Sequence, residues 1–357
     1  MSKHFLLFLL VLAIGIPAYG QFQNGNQTAL LNLPEVSQRA VITQRVGITD
    51  ITVTYHRPLV NGRQIWGKTV PYGKVWRSGA DQNTTIEFSD PVTIEGKALP
   101  KGIYGLHTIP GENEWTVIFS KASTAWGSFT YDQAEDALRV MVKAKAADFR
   151  EALTYSFDDP KQNAVTVSLE WEKVSVPFQV GVNVNEIVQA SLHNQLRGIA
   201  QYTWEGWDDA ATYLLENHGD LQEALKYSDT SIQNEERFDN LMTKSRIQEA
   251  LGRKQEATAS KEKALTMANS QQLHNYGRQL QMSGHQAEGF EIFQRNIKNH
   301  PNEWYVHGEV ARIACSKGDF ETAAREMKLA AAGAPDYAKQ AIDGLVKRLQ
   351  AKEDINK

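Results

Sequence analysis

Val75-Trp-Arg-Ser-Gly-Ala-Asp-Gln-Asn-Thr-Thr-Ile-Glu-Phe88 decides how the first half of this chain is read. It continues through Pro100-Lys-Gly-Ile-Tyr-Gly-Leu-His-Thr-Ile-Pro-Gly111 and Trp115-Thr-Val-Ile-Phe119. Short β-branched and aromatic runs alternate here with glycine and proline turns, the pattern of an antiparallel meander. Toward the N-terminus, residues 40–46 and 50–55 alternate with period two across Gly47 and predict a hairpin. The Arg57-Pro58 step stops it. Residues 59–67 and 70–74 read as loop, with a tight turn at Asn61-Gly62. Downstream, residues 136–143, 153–157 and 165–171 predict three more strands, and residues 176–180 a closing edge segment. About nine strands within residues 35–180 predict one antiparallel β-sandwich or flattened barrel.

After Gly181 the strand signal stops and the pattern is helical. Gly219-Asp-Leu-Gln-Glu-Ala224, Gly252-Arg-Lys-Gln-Glu-Ala257, Gly284-His-Gln-Ala-Glu-Gly289 and Gly318-Asp-Phe-Glu-Thr-Ala323 recur at glycine spacings of 33, 32 and 34. Each glycine is read as ending a first helix and allowing a sharp turn. The small residue five positions later then lets the second helix pack closely on the first. Phe293 and the pairs Ala257/Ala264 and Ala323/Ala330 fall at packing positions of the second helix. Residues 181–357 thus predict a tetratricopeptide-like solenoid of about four degenerate repeats, with other helical-hairpin repeats as the alternative.

The balance of the chain is ordinary for a globular protein: 357 residues, 41% hydrophobic, 22% charged, formal net charge -4. No basic field invites nucleic acid. Lys3 and His4, an apolar run over residues 5–16 and small residues at Ala18 and Gly20 describe a signal peptide over residues 1–20. That implies export to the periplasm or beyond. A polar leader follows over residues 21–34, and no later stretch reads as membrane-spanning. The single cysteine, Cys315, excludes an intramolecular disulfide and reads as a small core residue.

No nucleophile elbow, metalloprotease helix, phosphate loop or dinucleotide fingerprint occurs, and no cofactor or metal is expected. The histidines lack metal-ligand spacing; a site built from His56, His107 and a carboxylate is the weaker reading. The most suggestive set is arginine with aromatics and acids in the β-domain: Arg57, Arg63, Trp76, Arg77, Asp81, Trp115, Trp126, Asp136 and Arg139. Planar guanidinium groups beside indole faces suit a small anionic or sugar ligand. The competing reading is structural: these residues close the ends of the sandwich, with each arginine paired to Asp81, Glu87 or Asp136.

Many of these motifs, in order, resemble a bacterial family known as domain of unknown function 2911. They are Ser37-Gln-Arg-Ala40, Tyr55-His-Arg-Pro58, Gly62-Arg63, Val70-Pro-Tyr-Gly73, Val75-Trp-Arg-Ser-Gly-Ala80, Leu99-Pro-Lys-Gly102, Trp126-Gly127 and Asp136-Ala-Leu-Arg139. The resemblance spans about residues 34–180. The family's usual Gly-Ala-Asn-Glu segment stands here as Gly79-Ala-Asp-Gln82. The resemblance implies export and a β-sandwich, and no activity. The expectation is a non-enzymatic binding or scaffold protein whose repeats meet a protein partner. The alternative is a hydrolase or lyase acting on an anionic or sugar substrate through Arg57, Arg77 and Asp81 or Asp136.

Overall fold

The computed structural model describes residues 34–356. The expected signal peptide and all but the last residue of the leader lie outside the described residues. The chain divides between Ile187 and Val188 into two compact units.

In the first unit, β1 (Gln38–Val46) and β2 (Thr49–Arg57) form the predicted hairpin, with Val46 opposite Thr49 and Gln38 opposite Arg57. There follow β3 (Thr85–Phe88), β4 (Val92–Ile94), β5 (Lys97–Leu99), β6 (Gly102–Ile109), β7 (Glu114–Ser120), β8 (Asp136–Lys143), β9 (Lys145–Lys161) and β10 (Ala164–Gly181). They make two antiparallel sheets, ordered β1-β2-β3-β6-β7-β8 and β5-β4-β10-β9. The architecture is therefore a sandwich rather than a barrel. Alternation sets the inner face: Ile51, Val53 and Tyr55 of β2 are buried while Thr52 and Thr54 are half-buried. Inner residues of both sheets, among them Phe88, Trp115, Phe119, Trp171 and Phe178, share one core.

Residues 165–171 and 176–180 belong to a single strand, β10, and its C-terminal part is not an edge. Val180 pairs with Ile94 of β4, and β10 lies between β4 and β9. The interruption is a bulge at Glu172, which takes a left-handed backbone with φ 54°. Across it the core-facing side of β10 changes parity, while the surplus residues lie on β9, where Thr154 to Ala146 spans eight positions against four for Glu170 to Val174. Val165, Val167, Leu169 and Trp171 face the core before it, and Val176, Phe178 and Val180 after it.

α1 (Val184–Gln195) begins against the sandwich, with Val184 and Ile187 on the sheet core. The second unit is an array of hairpins: α2 (Trp204–Glu216) with α3 (Leu221–Asn234), α4 (Phe238–Ala250) with α5 (Lys254–Met267), α6 (Ser270–Met282) with α7 (Gln286–Asn299), and α8 (Trp304–Ser316) with α9 (Phe320–Gly333). α10 (Asp336–Gln350) caps it. Ala224, Ala257, Gly289 and Ala323 are all buried at the helix crossings, as their period predicts. Gly252, Gly284 and Gly318 take the left-handed turn conformation. In the first repeat His218 takes it instead, at φ 56°. Gly219 is required there for space, because an added Cβ would lie 2.7 Å from Leu214 Cδ2. Among the described residues no helix is long and apolar enough to cross a membrane.

Candidate functional site

The nine β-domain residues singled out above serve five different places. Arg57 donates from Nε to Leu153 O at 3.0 Å and from Nη2 to Thr154 Oγ1 at 2.9 Å, tying β2 to β9. Arg63 donates to the carbonyls of Val60 and Leu59 and closes its own loop. Trp76 and Trp115 belong to an aromatic plug at one end of the core. Trp66 meets Trp115 edge-on at 5.0 Å, Trp76 stacks on Trp171 at 5.9 Å, and Trp76 Nε1 donates to Gly79 O. Asp136 accepts from the Tyr131 hydroxyl at 2.7 Å and from Arg139 Nε, and Arg139 also donates to the Tyr131 oxygen. The catalytic set of Arg57, Arg77 and Asp81 or Asp136 is therefore not assembled. Arg57 is committed to β9 and Asp136 to Tyr131 and Arg139.

Arg77, Asp81 and Trp126 remain, and they gather where loop 77–84 roofs the outer face of the larger sheet. Gly105 of β6 shows how close the roof is. A Cβ there would sit 2.7 Å from Asn83 Nδ2 and 2.8 Å from Ala122 O. Ser78 and Asp81 hold left-handed backbones, φ 56° and 53°, which non-glycine residues adopt at a cost. In and beneath the loop, five buried polar atoms have no hydrogen-bond partner among the described residues: His56 Nδ1, Arg77 Nε, Asp81 Oδ2, Gln82 Oε1 and Asn83 Oδ1.

Glu35 anchors one side of this region, 2.8 Å from His56 Nε2 and 2.7 Å from Gln82 Nε2. Burial lowers the His56 pKa, with Glu35 opposing. The imidazole is therefore neutral at pH 7, donating from Nε2 to Glu35 and leaving Nδ1 as an acceptor. Burial also lowers the Arg77 pKa against the field of Asp81, and its guanidinium lies 5.6 Å from the Trp126 ring. Trp126 stacks on exposed Phe129. His107, bonded through Nδ1 to Ser128 Oγ at 2.9 Å, is driven down to about 4 by burial, with Asp136 opposing. Among the described residues no group of three or more His, Cys, Asp or Glu side chains is placed to hold a metal.

In the helical unit, the first helices carry a second constellation. Arg278 and Gln281 of α6 recur 34 residues later as Arg312 and Cys315 of α8. Residues 353–356, after α10, lie against them. Arg312 Nη1 donates to Ile355 O, and Arg348 Nη2 donates to Asp354 O at 2.6 Å. Asn356 Nδ2 donates to Arg312 O at 3.0 Å, and Asn356 Oδ1 accepts from Gln281 Nε2 at 3.4 Å. Ile355 is 1% exposed, packed into the core that α8, α9 and α10 share. Burial lowers the Arg312 pKa to about 10, and Arg278 adds to the effect. A separate cleft of about 540 Å³ lies chiefly along α5 and α7. The ion pairs Lys261–Glu288 and Arg295–Glu262 span it.

The β-unit geometry and its motif order can now be set beside known proteins. Residues 37–180 match the family model described as "Protein of unknown function (DUF2911)". The DUF2911 segment ends within the last strand of the sandwich and leaves the helical unit outside it. Solved structures similar to this chain include the APC/C hetero-tetramer Cut9–Hcn1, at 16% identity and TM-score 0.30. The match covers 48% of this chain and 34% of that chain, so this chain spans about a third of that length. YrrB, described as a TPR protein with an unusual peptide-binding site, matches at 14% identity and TM-score 0.27, covering 46% of this chain and 86% of its own. A tetratricopeptide repeat protein from Parabacteroides merdae ATCC 43184 matches at 14% identity and TM-score 0.29, covering 47% and 66%. No curated protein matches significantly.

In the β-unit, residue type alone picks out Arg77, Asp81 and Trp126 but passes over Glu35, Gln82, Asn83 and Ser128. Short polar residues carry no distinguishing signal until the fold collects them. In the helical unit the passed-over signal was periodic. Arg246, Arg278 and Arg312 each stand six residues before a turn glycine, Gly252, Gly284 and Gly318.

Proposed function

We propose that this chain is an exported, non-enzymatic binding protein of the bacterial envelope whose helical repeats present a surface to a protein partner. The observation that carries this reading is the segment 353–356 seated on α6, α8 and α10. Two arginine side chains hold its backbone carbonyls, a mode of recognition open to any extended peptide. Export rests on the N-terminal residues 1–20 and is checked by N-terminal sequencing of the mature protein. Protein binding is checked by capture with the full chain and with an Arg278→Gln/Arg312→Gln variant. A partner kept by the first and lost by the second supports the reading, and equal retention by both counts against it.

A second reading concerns the β-unit. The region under loop 77–84 would hold a small ligand, in keeping with the buried atoms left without partners there. With His56 neutral, four of those five atoms are acceptors, and only Arg77 Nε donates. That balance favours a sugar, whose hydroxyls donate, over an anion. A hydrolase or lyase role has weaker support, since Arg57 is engaged with β9 and Asp136 with Tyr131 and Arg139, which leaves only Arg77 and Asp81 together. Thermal-shift titration with mono- and oligosaccharides, against the Asp81→Asn variant, tests the ligand. Identical shifts in both proteins would end this reading.

A further inference from the structure

We propose that the face formed by α6, α8 and α10 recognises an extended peptide bearing an acidic residue, then an aliphatic one, then asparagine, and that residues 353–356 occupy this site in cis. The inference rests on reading the repeats as a protein-binding surface.

Each position of the segment meets a matching feature. The Asp354 and Ile355 carbonyls accept from Arg348 and Arg312, which fixes the backbone without regard to side chain. Ile355 fills an apolar socket among the buried residues of α8, α9 and α10. Asn356 is read on both sides of its carboxamide, by Arg312 O and by Gln281 Nε2, and its side chain is almost fully buried. A carboxamide satisfied this way is selected against any apolar replacement, because the backbone oxygen it meets would lose its donor.

Charge points the same way. The chain as a whole is acidic, yet Arg278 and Arg348 both lie close enough to Arg312 to lower its pKa further, beyond the larger effect of burial. The acids facing them come from the docked segment itself. Glu353 pairs with Arg348 at 3.3 Å, and the field of Asp354 supports Arg312. A second, independent feature is the register. Arg312 and Arg278 are equivalent residues of successive hairpins, and Arg246 continues the row on α4. The segment covers only the last part of this row, so a longer acidic peptide would reach Arg278 on α6 and then Arg246 on α4, where it would compete with Glu216, now 3.1 Å from Arg246 Nη2.

A segment tethered next to its own site acts at a local concentration in the millimolar range. A partner must therefore outcompete it, and the full chain is partly self-blocked. Substitutions that unseat the segment should raise apparent affinity without touching the face itself.

The probe is a fluorescent peptide Ala-Lys-Glu-Asp-Ile-Asn, read by anisotropy on the full chain. Ile355→Asp unseats the segment and is expected to bind the peptide at least about tenfold more tightly than the unmodified chain. Adding Arg312→Gln to that variant should remove most of the gain. Equal affinity for the unmodified chain and the Ile355→Asp variant would overturn cis occupancy while leaving the face as a peptide site. Absence of binding to a folded Ile355→Asp variant, with circular dichroism intact, would overturn the peptide chemistry and, with it, the reading of this face. Asn356→Ala leaves Ile355 in its socket and should shift affinity in the same direction by a smaller factor, so a misfolded Ile355→Asp does not close the test. Concentration-dependent dimers that Ile355→Asp abolishes would show the segment seated in a second copy, and so overturn the cis arrangement.

Discussion

Asp81 combines two unfavourable features in one residue. Its backbone is left-handed, and one carboxylate oxygen is buried without a partner among the described residues. The first costs about 1 kcal/mol for a non-glycine residue, and the second about 1–3 kcal/mol. Asp81→Gly removes both and is expected to raise the stability of the β-unit by about 1 kcal/mol, measured by urea unfolding followed through tryptophan fluorescence. A loss of stability would instead assign the carboxylate a structural task in holding Arg77 and His56 in place. The sequence pointed to Trp76, Arg77 and Asp81 by residue type, and the fold sets Arg77 and Asp81 with Trp126. It could not pair them with His56, because His56 and Arg57 are adjacent in sequence but lie on opposite faces of β2. The period of two sends Arg57 to β9 and His56 under loop 77–84. Arginines on helix faces mislead in the other direction. Singly they carry no signal, and only their equal distance from three turn glycines marks Arg246, Arg278 and Arg312 as one row.

At the scale of elements, the repeats were legible because spacing survives where individual residues drift. Glycines at 33, 32 and 34 located every hairpin, although His218 has taken over the left-handed position in the first. The two long strands were less legible. The bulge at Glu172 reverses the alternation of β10, and a parity change reads as a break in sequence although the strand continues. The glycines of the helices separate packing from conformation in a testable way. Gly289 of α7 crosses α6 so closely that an added Cβ would lie 2.7 Å from Gln281 Cγ and 2.8 Å from Gly277 O. Gly308, inside α8, has nothing within 4 Å of such an atom. Gly289→Ala is expected to destabilise the helical unit by about 1–3 kcal/mol through overpacking. Gly308→Ala should stabilise it by roughly 0.5–1 kcal/mol through helix propensity. Far-UV circular dichroism against urea measures both. Effects of the same sign would contradict the placement of the α6–α7 crossing.

Across the whole molecule, the two units should answer acid in opposite directions, because each buries a different kind of titrating group. In the β-unit His107 is 2% exposed and held neutral, its pKa lowered from 6.5 to about 4, and His56 is lowered as well. An unfolded chain protonates these histidines near pH 6.5 while the fold resists. The stability they confer is complete above that pH and is lost as pH falls from 6.5 toward 4. For His107 alone the loss is about 3 kcal/mol over that window. In the helical unit the sign reverses. Burial raises Asp208 from 3.8 to about 6, and Glu309, enclosed by His274 and Asn296, is raised also. A carboxyl whose folded pKa exceeds its unfolded value favours the fold when protonated. This unit therefore gains stability as pH falls through 6, by about 1 kcal/mol for Asp208 once its partial exposure is discounted. Asp319, lowered by its cap hydrogen bond to Thr322, acts only below pH 4 and leaves the window intact. Five of the eight tryptophans lie in the β-unit, and the helices α1 to α10 of the described residues supply the signal at 222 nm. Between pH 7.5 and 4.5 the fluorescence midpoint in urea should fall while the 222 nm midpoint holds or rises. His107→Gln should flatten the first trend and Asp208→Asn the second. Parallel falls in both midpoints would show that Asp208 and Glu309 do not govern the acid response of the helical unit, and a fluorescence midpoint that holds would show the same for His107 in the β-unit.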